Sequence, residues 1–128
     1  MTTVQADPVR VFADARRMQE AALRQMAAGD IRDAAEKAWC AAKRATDGLV
    51  LARTGEEPRR STDTGSGLRT LERVEPEAGS LRARYYERQG ALHGECFYIG
   101  LCEPVEGIER LIRDTADYID DARRLAGV

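Results

Sequence analysis

The fold is decided by residues 31–52, IRDAAEKAWCAAKRATDGLVLA. The apolar positions of this stretch recur in alternating steps of four and three: Ile31, Ala35, Ala38, Ala42, Ala45, Leu49 and Ala52. That spacing aligns them along one face of an α-helix. Because most of the face is alanine, a neighbouring helix can approach it closely. Trp39 lies beside the stripe and is predicted to be the large anchor of the core.

A second helix is predicted before this stretch. Asp7-Pro8 is typical of a helix start, since Asp suits the N-cap and Pro the first helical position. Gly29 is a good terminator, and Asp30 can cap the next helix at once. The apolar residues between these signals are spaced by three or four: Val11, Ala15, Met18, Ala22 and Met26. The short break predicts an antiparallel helical hairpin.

The part of the chain after Gly55 is predicted to contain two more long helices. Residues 55–67 are rich in Gly, Ser, Thr and Pro, so we expect an exposed, mobile loop there. A short helical turn is expected over residues 68–74, and a third long helix after Ser80. The fourth carries a three-four stripe: Val105, Ile108, Ile112, Thr115, Ile119, Ala122 and Ala126. The predicted fold is all-α, an up-and-down four-helix bundle with a short extra helical turn between helices 2 and 3.

Composition agrees with a single helical domain over residues 1–128. Hydrophobic residues make up 43% of the chain and charged residues 33%, but aromatic residues only 5%. No apolar run approaches the roughly 18 residues of a membrane span, and residues 1–30 lack the pattern of a signal peptide. We therefore expect no membrane association. The formal net charge of -2 argues against a broad basic surface for nucleic acid, but it allows a local basic pocket.

The cysteines and the histidine restrict the chemistry further. Cys40, Cys96 and Cys102 are an odd number without a CxxC pair, so neither a disulfide framework nor a zinc site is predicted. Cys40 and Cys96 are expected to be buried, unreactive thiols, and a cytoplasmic location is expected. His93 is the single histidine, which excludes a histidine cluster within one chain. No metal site and no cofactor are predicted.

The candidate chemistry lies in residues 82–100, RARYYERQGALHGECFYIG. Arg88 and His93 form an Arg-x4-His motif and are the candidate catalytic residues. A guanidinium binds phosphate and stabilises developing negative charge, and an imidazole serves as general acid or base. RNA supplies its own 2′-OH nucleophile. Five residues place the two side chains about 140° apart on an ideal helix, so we expect either a distortion at Gly90 or a meeting across a dimer interface.

Three neighbouring residues are candidates for substrate binding. Arg84 can extend the phosphate-binding surface, Gln89 is polar and follows Arg88, and Tyr86 can stack on a base. The alternative interpretation makes the tyrosine a core or interface residue. It also makes Arg88 a solvated surface charge and His93 a half-buried helix histidine.

The Arg-x4-His motif in the penultimate long helix, followed by an amphipathic last helix, resembles the HEPN superfamily. Residues 91–98, ALHGECFY, are similar to small prokaryotic HEPN proteins in which Phe-Tyr soon follows the motif histidine. Residues 30–39, DIRDAAEKAW, are similar to the second helix of such proteins. The resemblance covers about residues 8–126.

This resemblance implies a domain that dimerises and brings two motifs into one cleft. Active members are metal-independent ribonucleases, often toxins paired with a nucleotidyltransferase antitoxin. Carried over by position, Arg88 would bind the scissile phosphate, and His93 would perform acid–base work or position the 2′-OH. The expected function is RNA binding with endoribonuclease activity at a homodimer cleft. Two alternatives stay open: a non-catalytic module that binds a nucleotide or protein partner, and a plain structural bundle.

Overall fold

A computed structural model describes residues 7–128, and all regular structure in that range is helical. The helices are α1 (Pro8–Ala27), α2 (Ile31–Thr54), α3 (Ser61–Val74), α4 (Ala78–Arg88), a π-helix (Gln89–Ile99) and α5 (Val105–Ala126). The all-α class is confirmed. The arrangement is richer than four long helices and one turn, because α3 is a helix of 14 residues and α4 continues directly into the π-helix.

Helix α2 lies at the centre and packs against α1, α3, α5 and the π-helix. The predicted stripe is confirmed in its middle, where Ala35, Ala38, Ala42, Ala45 and Leu49 are fully buried. Trp39 is buried as the predicted anchor. Asp30 caps the helix with its side chain, which accepts a hydrogen bond from the backbone N–H of Asp33 at 3.1 Å. Small side chains on α2 thus allow its neighbours to surround it.

Helix α3 corrects the prediction for residues 55–67. The helix begins at Ser61, so only residues 55–60 form a loop. Two glycines, poor helix formers, occur where α3 meets its neighbours. A Cβ at Gly67 would lie 2.9 Å from Val50 Cγ1, and a Cβ at Gly65 would collide with the Tyr86 hydroxyl. These glycines therefore permit close packing instead of making a flexible loop.

Three features define the end of the π-helix: a left-handed glycine, hydrogen bonds from α2 and a disulfide. Gly100 takes a left-handed conformation with φ 86°, which suits glycine and ends the helix. Arg32, from α2, donates hydrogen bonds to the Phe97 carbonyl. Cys96 forms a disulfide with Cys102. The expectation of free, buried thiols is therefore wrong for Cys96. The odd number of cysteines had argued against a disulfide, but Cys96 and Cys102 pair and only Cys40 stays free.

Helix α5 confirms most of its predicted stripe. Its fully or nearly buried residues are Ile108, Ile112, Thr115, Tyr118, Ile119 and Ala122. Val105, the first residue of the stripe and of the helix, is exposed instead. Over residues 7–128, no helix combines the length and apolar character that a membrane crossing requires.

Replacing Cys96 and Cys102 together by serine is expected to lower the free energy of unfolding by about 2 kcal/mol, because the disulfide closes a short loop that restricts the unfolded chain. Urea denaturation measures the change. Dithiothreitol should destabilise the wild-type protein by a similar amount, and a Cys40→Ser control should remain as sensitive to it. Equal sensitivity of the double-serine variant to dithiothreitol would contradict this role of the disulfide.

Candidate functional site

His93 lies in the middle of the π-helix and faces α2. Its Nδ1 is 2.9 Å from Glu36 Oε1 and 2.8 Å from Glu36 Oε2. The side chain of Glu36 is mostly buried, whereas that of His93 is 43% exposed. Because an ionised carboxylate only accepts hydrogen bonds, the proton of the neutral imidazole resides on Nδ1. Nε2 is then the nitrogen free to accept or deliver a proton.

Aromatic rings hold the imidazole in place. Trp39 lies on one side, with ring centroids 5.9 Å apart, and Phe97 stacks at 6.3 Å with an interplanar angle of 21°. Trp39 is itself buried and packs against Tyr85 at 5.1 Å. The orientation of His93 is therefore set by a buried carboxylate and by packed rings, which is the arrangement that an acid–base histidine needs.

Arg32 shares the α2 side of the π-helix with this histidine. It precedes Glu36 by four residues, so the two lie one turn apart on α2. Its Nε and Nη2 donate to the Phe97 carbonyl at 3.1 and 2.6 Å, and Nη2 also reaches the Tyr98 carbonyl at 3.4 Å. Between residues 7 and 128, no carboxylate forms an ion pair with Arg32. The site thus contains a cation whose charge is not neutralised by an acid.

The π-helix is the distortion that the glycine at position 90 was expected to permit. Its backbone hydrogen bonds join residues five apart, so the turn is wider than in an α-helix and the ideal angle of about 140° no longer applies. π-Helices are rare, usually a single turn long, and frequent at functional sites. Here the π-helix spans 11 residues with His93 near its centre. The unusual backbone and the candidate acid–base residue therefore coincide.

Arg88, the other half of the motif, is 2% exposed and faces α5. Its Nε donates to Thr115 Oγ1 at 2.9 Å, and its Nη1 donates to the Arg84 carbonyl at 3.2 Å. The guanidinium lies 5.3 Å from the centre of the Tyr118 ring. Burial, together with the charge of Arg84, lowers the pKa of Arg88. Over the described chain no hydrogen bond joins Arg88 to His93.

The predicted substrate-binding residues are not gathered around His93. Arg84 donates to Asp121 at 2.8 Å and thereby lowers the pKa of that carboxyl group. Tyr86 is partly exposed on α4, where its hydroxyl lies against Gly65 of α3. Gln89 begins the π-helix and is half-buried. Of the five predicted site residues, His93 alone contacts Glu36.

Cys40 lies one turn beyond Glu36 on α2. Its thiol is 3.8 Å from Glu36 Oε1, and burial followed by the charge of Glu36 raises its pKa to about 11. A thiol with so high a pKa is protonated at neutral pH and is a poor nucleophile. Cys40 was expected to be buried, but its side chain is only half-buried.

Glu36 and Arg32 are the site residues that the sequence prediction missed. Both lie in the DIRDAAEKAW segment that carried part of the family resemblance. Glu36 follows Ala35 of the buried stripe directly and precedes Trp39 by three residues. A carboxylate that close to a buried face needs a partner, and the single histidine was the natural candidate.

The described residues, 7–128, contain no group of three or more His, Cys, Asp or Glu side chains arranged to hold a metal ion. Among known families, the model of the archaeal PaREP1/PaREP8 family matches residues 11–119, a range that includes Arg32, Glu36 and His93. No curated protein and no solved structure matches the chain.

Proposed function

The chain belongs to the archaeal PaREP1/PaREP8 family, and we propose that it is a HEPN-like RNA-binding protein and metal-independent endoribonuclease. In this proposal α1, α2, α4 with the π-helix, and α5 correspond to the four helices of a HEPN bundle, and α3 is the extra element. The observation that carries the proposal is the Glu36–His93 pair, which leaves Nε2 of a half-exposed imidazole free.

The chemistry requires only proton transfer at an RNA phosphodiester. Nε2 of His93 removes the proton of the 2′-OH, and the 2′-oxygen attacks the adjacent phosphorus. The bond from phosphorus to the 5′-oxygen breaks, which leaves a 2′,3′-cyclic phosphate and a 5′-hydroxyl end. Glu36 keeps the imidazole in the correct tautomer and stabilises the imidazolium that forms. The leaving oxygen takes its proton from water or from a second histidine.

A homodimer would supply that second histidine. Pairing through α4 and α5 would bring two chains into one cleft, with one imidazole as base and the other as acid. Arg88 acts indirectly in this scheme. It packs between α4 and α5, where its Nε donates to Thr115, and it lies directly before the π-helix. A nucleotidyltransferase-type antitoxin is the protein partner that accompanies this proposal.

The second candidate is a non-catalytic module that binds a nucleotide or a protein partner. It is favoured by exposed apolar side chains near the end of the π-helix: Phe97, Tyr98, Ile99, Leu101 and Val105. Apolar side chains clustered in this way are typical of interaction surfaces. The two candidates differ in whether RNA is cut.

The proposal is tested by incubating the purified protein with end-labelled RNA in the presence of EDTA. The expected result is cleavage that the chelator does not reduce, with products that end in a 2′,3′-cyclic phosphate. A mock preparation from cells without the gene controls for contaminating nuclease. Cleavage no greater than in the mock preparation, combined with RNA binding or with capture of a nucleotide, would favour the non-catalytic module.

A further inference from the structure

We propose that Arg32 is a positioning residue for the proposed reaction, because it holds the backbone of Phe97, whose ring stacks on His93. This inference rests on the proposed function and adds a residue to the same site. It is carried by a continuous series of contacts that leads from α2, through the end of the π-helix, to the imidazole.

The contacts of Arg32 are made to backbone groups at the end of the π-helix. The last carbonyl groups of a helix have no N–H partner within the helix. Arg32 donates to the Phe97 carbonyl from Nε at 3.1 Å and from Nη2 at 2.6 Å, and Nη2 also reaches the Tyr98 carbonyl at 3.4 Å. Because the donors of a guanidinium are fixed relative to one another, these bonds determine the orientation of the Phe97 backbone as well as its distance from α2.

Phe97 transmits this contact to the imidazole. Its ring and that of His93 have centroids 6.3 Å apart and an interplanar angle of 21°. Trp39, the other ring in contact with His93, is 4% exposed, whereas Phe97 is 36% exposed. Packing alone therefore holds the ring of Trp39 in place. The ring of Phe97 depends more on the hydrogen bonds that hold its backbone.

Arg32 and Glu36 together attach the π-helix to α2 at two points. Arg32 lies four residues before Glu36, and the residues that they contact, Phe97 and His93, are also four residues apart. A single contact leaves the π-helix able to rotate about that contact. Two contacts separated by about 6 Å along α2 fix its rotation as well. The direction of the imidazole is therefore set by Glu36 at Nδ1 and by Arg32 at the backbone.

Arg53 is a matched control for the contribution of Arg32 to stability. It also lies on α2, and its Nη1 donates to the Leu125 carbonyl near the end of α5 at 3.3 Å. It forms an ion pair with Glu75 in addition. The two arginines make the same kind of contact with a helix end, but Arg53 is about 30 Å farther along α2 and does not adjoin His93.

The kinetic test compares single-turnover cleavage of a labelled RNA by three variants. Arg32→Gln removes the guanidinium, so the rate should fall by about 10- to 100-fold, as when a catalytic group is displaced by a remote change. Arg32→Lys keeps the charge and can donate to one carbonyl, so it should restore part of the rate. Arg53→Gln should cleave as the wild type does, even if its melting temperature falls. All three variants should bind an uncleavable 2′-O-methyl RNA with wild-type affinity.

A second measurement does not depend on RNA cleavage. His93 is the single histidine, so its imidazole gives one assignable set of NMR signals. At alkaline pH, where the imidazole is neutral, the wild type should show the Nδ1–H tautomer and chemical shifts displaced by the Trp39 and Phe97 rings. Arg32→Gln should reduce this displacement and mix the two tautomers, whereas Arg53→Gln should leave the imidazole signals unchanged. A purely structural Arg32 would lower the melting temperature without moving them.

Phe97→Leu tests whether the ring carries the effect of Arg32. This variant removes the ring and keeps the carbonyl that Arg32 holds, so its loss of rate should be similar to that of Arg32→Gln. If Arg32 acts through this ring, the double variant cleaves no more slowly than Phe97→Leu alone. Additive losses would show that Arg32 acts in another way and would overturn the inference.

The outcomes separate this inference from the function on which it rests. If the wild-type protein does not cleave RNA, the proposed function fails, and the imidazole signals alone decide whether Arg32 positions His93. If the wild type cleaves RNA, undiminished cleavage by Arg32→Gln overturns the inference. A loss of RNA affinity that accounts for the whole loss of rate also overturns it, because Arg32 then binds the RNA.

Discussion

Arg88→Ala is expected to lower the free energy of unfolding by about 3–5 kcal/mol, which removes a large part of the stability of a domain of this size. The substitution empties a buried space between α4 and α5. It leaves Thr115 Oγ1 without the Arg88 contact at 2.9 Å, and it exposes the face of Tyr118 to a cavity. Urea denaturation followed by circular dichroism measures the loss.

Arg88→Met separates the shape of this side chain from its charge. Methionine has a similar length and fills irregular spaces, and the lowered pKa of Arg88 shows that burial penalises its charge. We therefore expect the free energy of unfolding of Arg88→Met to lie within about 1.5 kcal/mol of the wild-type value. The variant should cleave RNA at a similar rate. A stable Arg88→Met protein that does not cleave RNA would contradict the indirect role. It would indicate that Arg88 binds the scissile phosphate.

The helices that could be predicted are those whose burial follows a regular period. Ala38 and Ala42 on α2 and Ile112 and Ile119 on α5 are buried where a 3.6-residue turn places them, because each helix packs one face against the rest of the fold. Local signals for the start of a helix were also sufficient where they agreed with this burial pattern. The Asp30 cap is an example.

Helix α3 could not be predicted because its glycines serve tertiary packing. Gly65 and Gly67 are poor helix formers in isolation, but they leave room for Tyr86 and Val50, which come from other helices. Thr64 is buried and donates to Asp47 of α2 at 2.6 Å, so a residue typical of loops is also a core residue here. Such contacts join residues distant in sequence, so they cannot be predicted from the composition of a short segment.

Of the candidate site, the sequence predicted His93 but not Glu36 or Arg32. The reason is again that their contacts join residues distant in sequence. His93 was identified by its scarcity and its motif, whereas Glu36 lies 57 positions away on another helix. Arg88 was assigned through the same motif, and within one chain the two side chains face different helices, α5 and α2. The change from α-helix to π-helix at Gln89 alters the direction of every later side chain. Gly90 indicated a distortion there but not its form.

His93→Ala is expected to reduce the rate of RNA cleavage by about 10²–10⁴-fold, the usual contribution of a general acid–base group. The loss follows from removing Nε2, the free nitrogen of the pair, at a side chain that is 43% exposed and contributes little to the core. The variant should still fold, although the mostly buried Glu36 loses its partner and some stability is lost. Single-turnover cleavage of a labelled RNA, with enzyme in excess, measures the chemical step.

Glu36→Gln tests whether the carboxylate matters beyond holding the ring. The amide oxygen can still accept from Nδ1 at the distance of about 2.8 Å that Glu36 uses, but it carries no charge to stabilise the imidazolium. We expect a loss of about 10–100-fold in single-turnover rate, as for other hydrogen-bonded partners of functional histidines. Glu95→Gln changes the same charge on the exposed side of the π-helix and should cleave as the wild type does.

The combination of the two variants decides between a working pair and two independent residues. If Glu36 acts only through His93, the double variant His93→Ala, Glu36→Gln cleaves no more slowly than His93→Ala alone, because no imidazolium remains to be stabilised. Additive losses would show that Glu36 contacts the RNA or a proton by itself. Undiminished cleavage by a folded His93→Ala protein would remove the histidine from the chemistry.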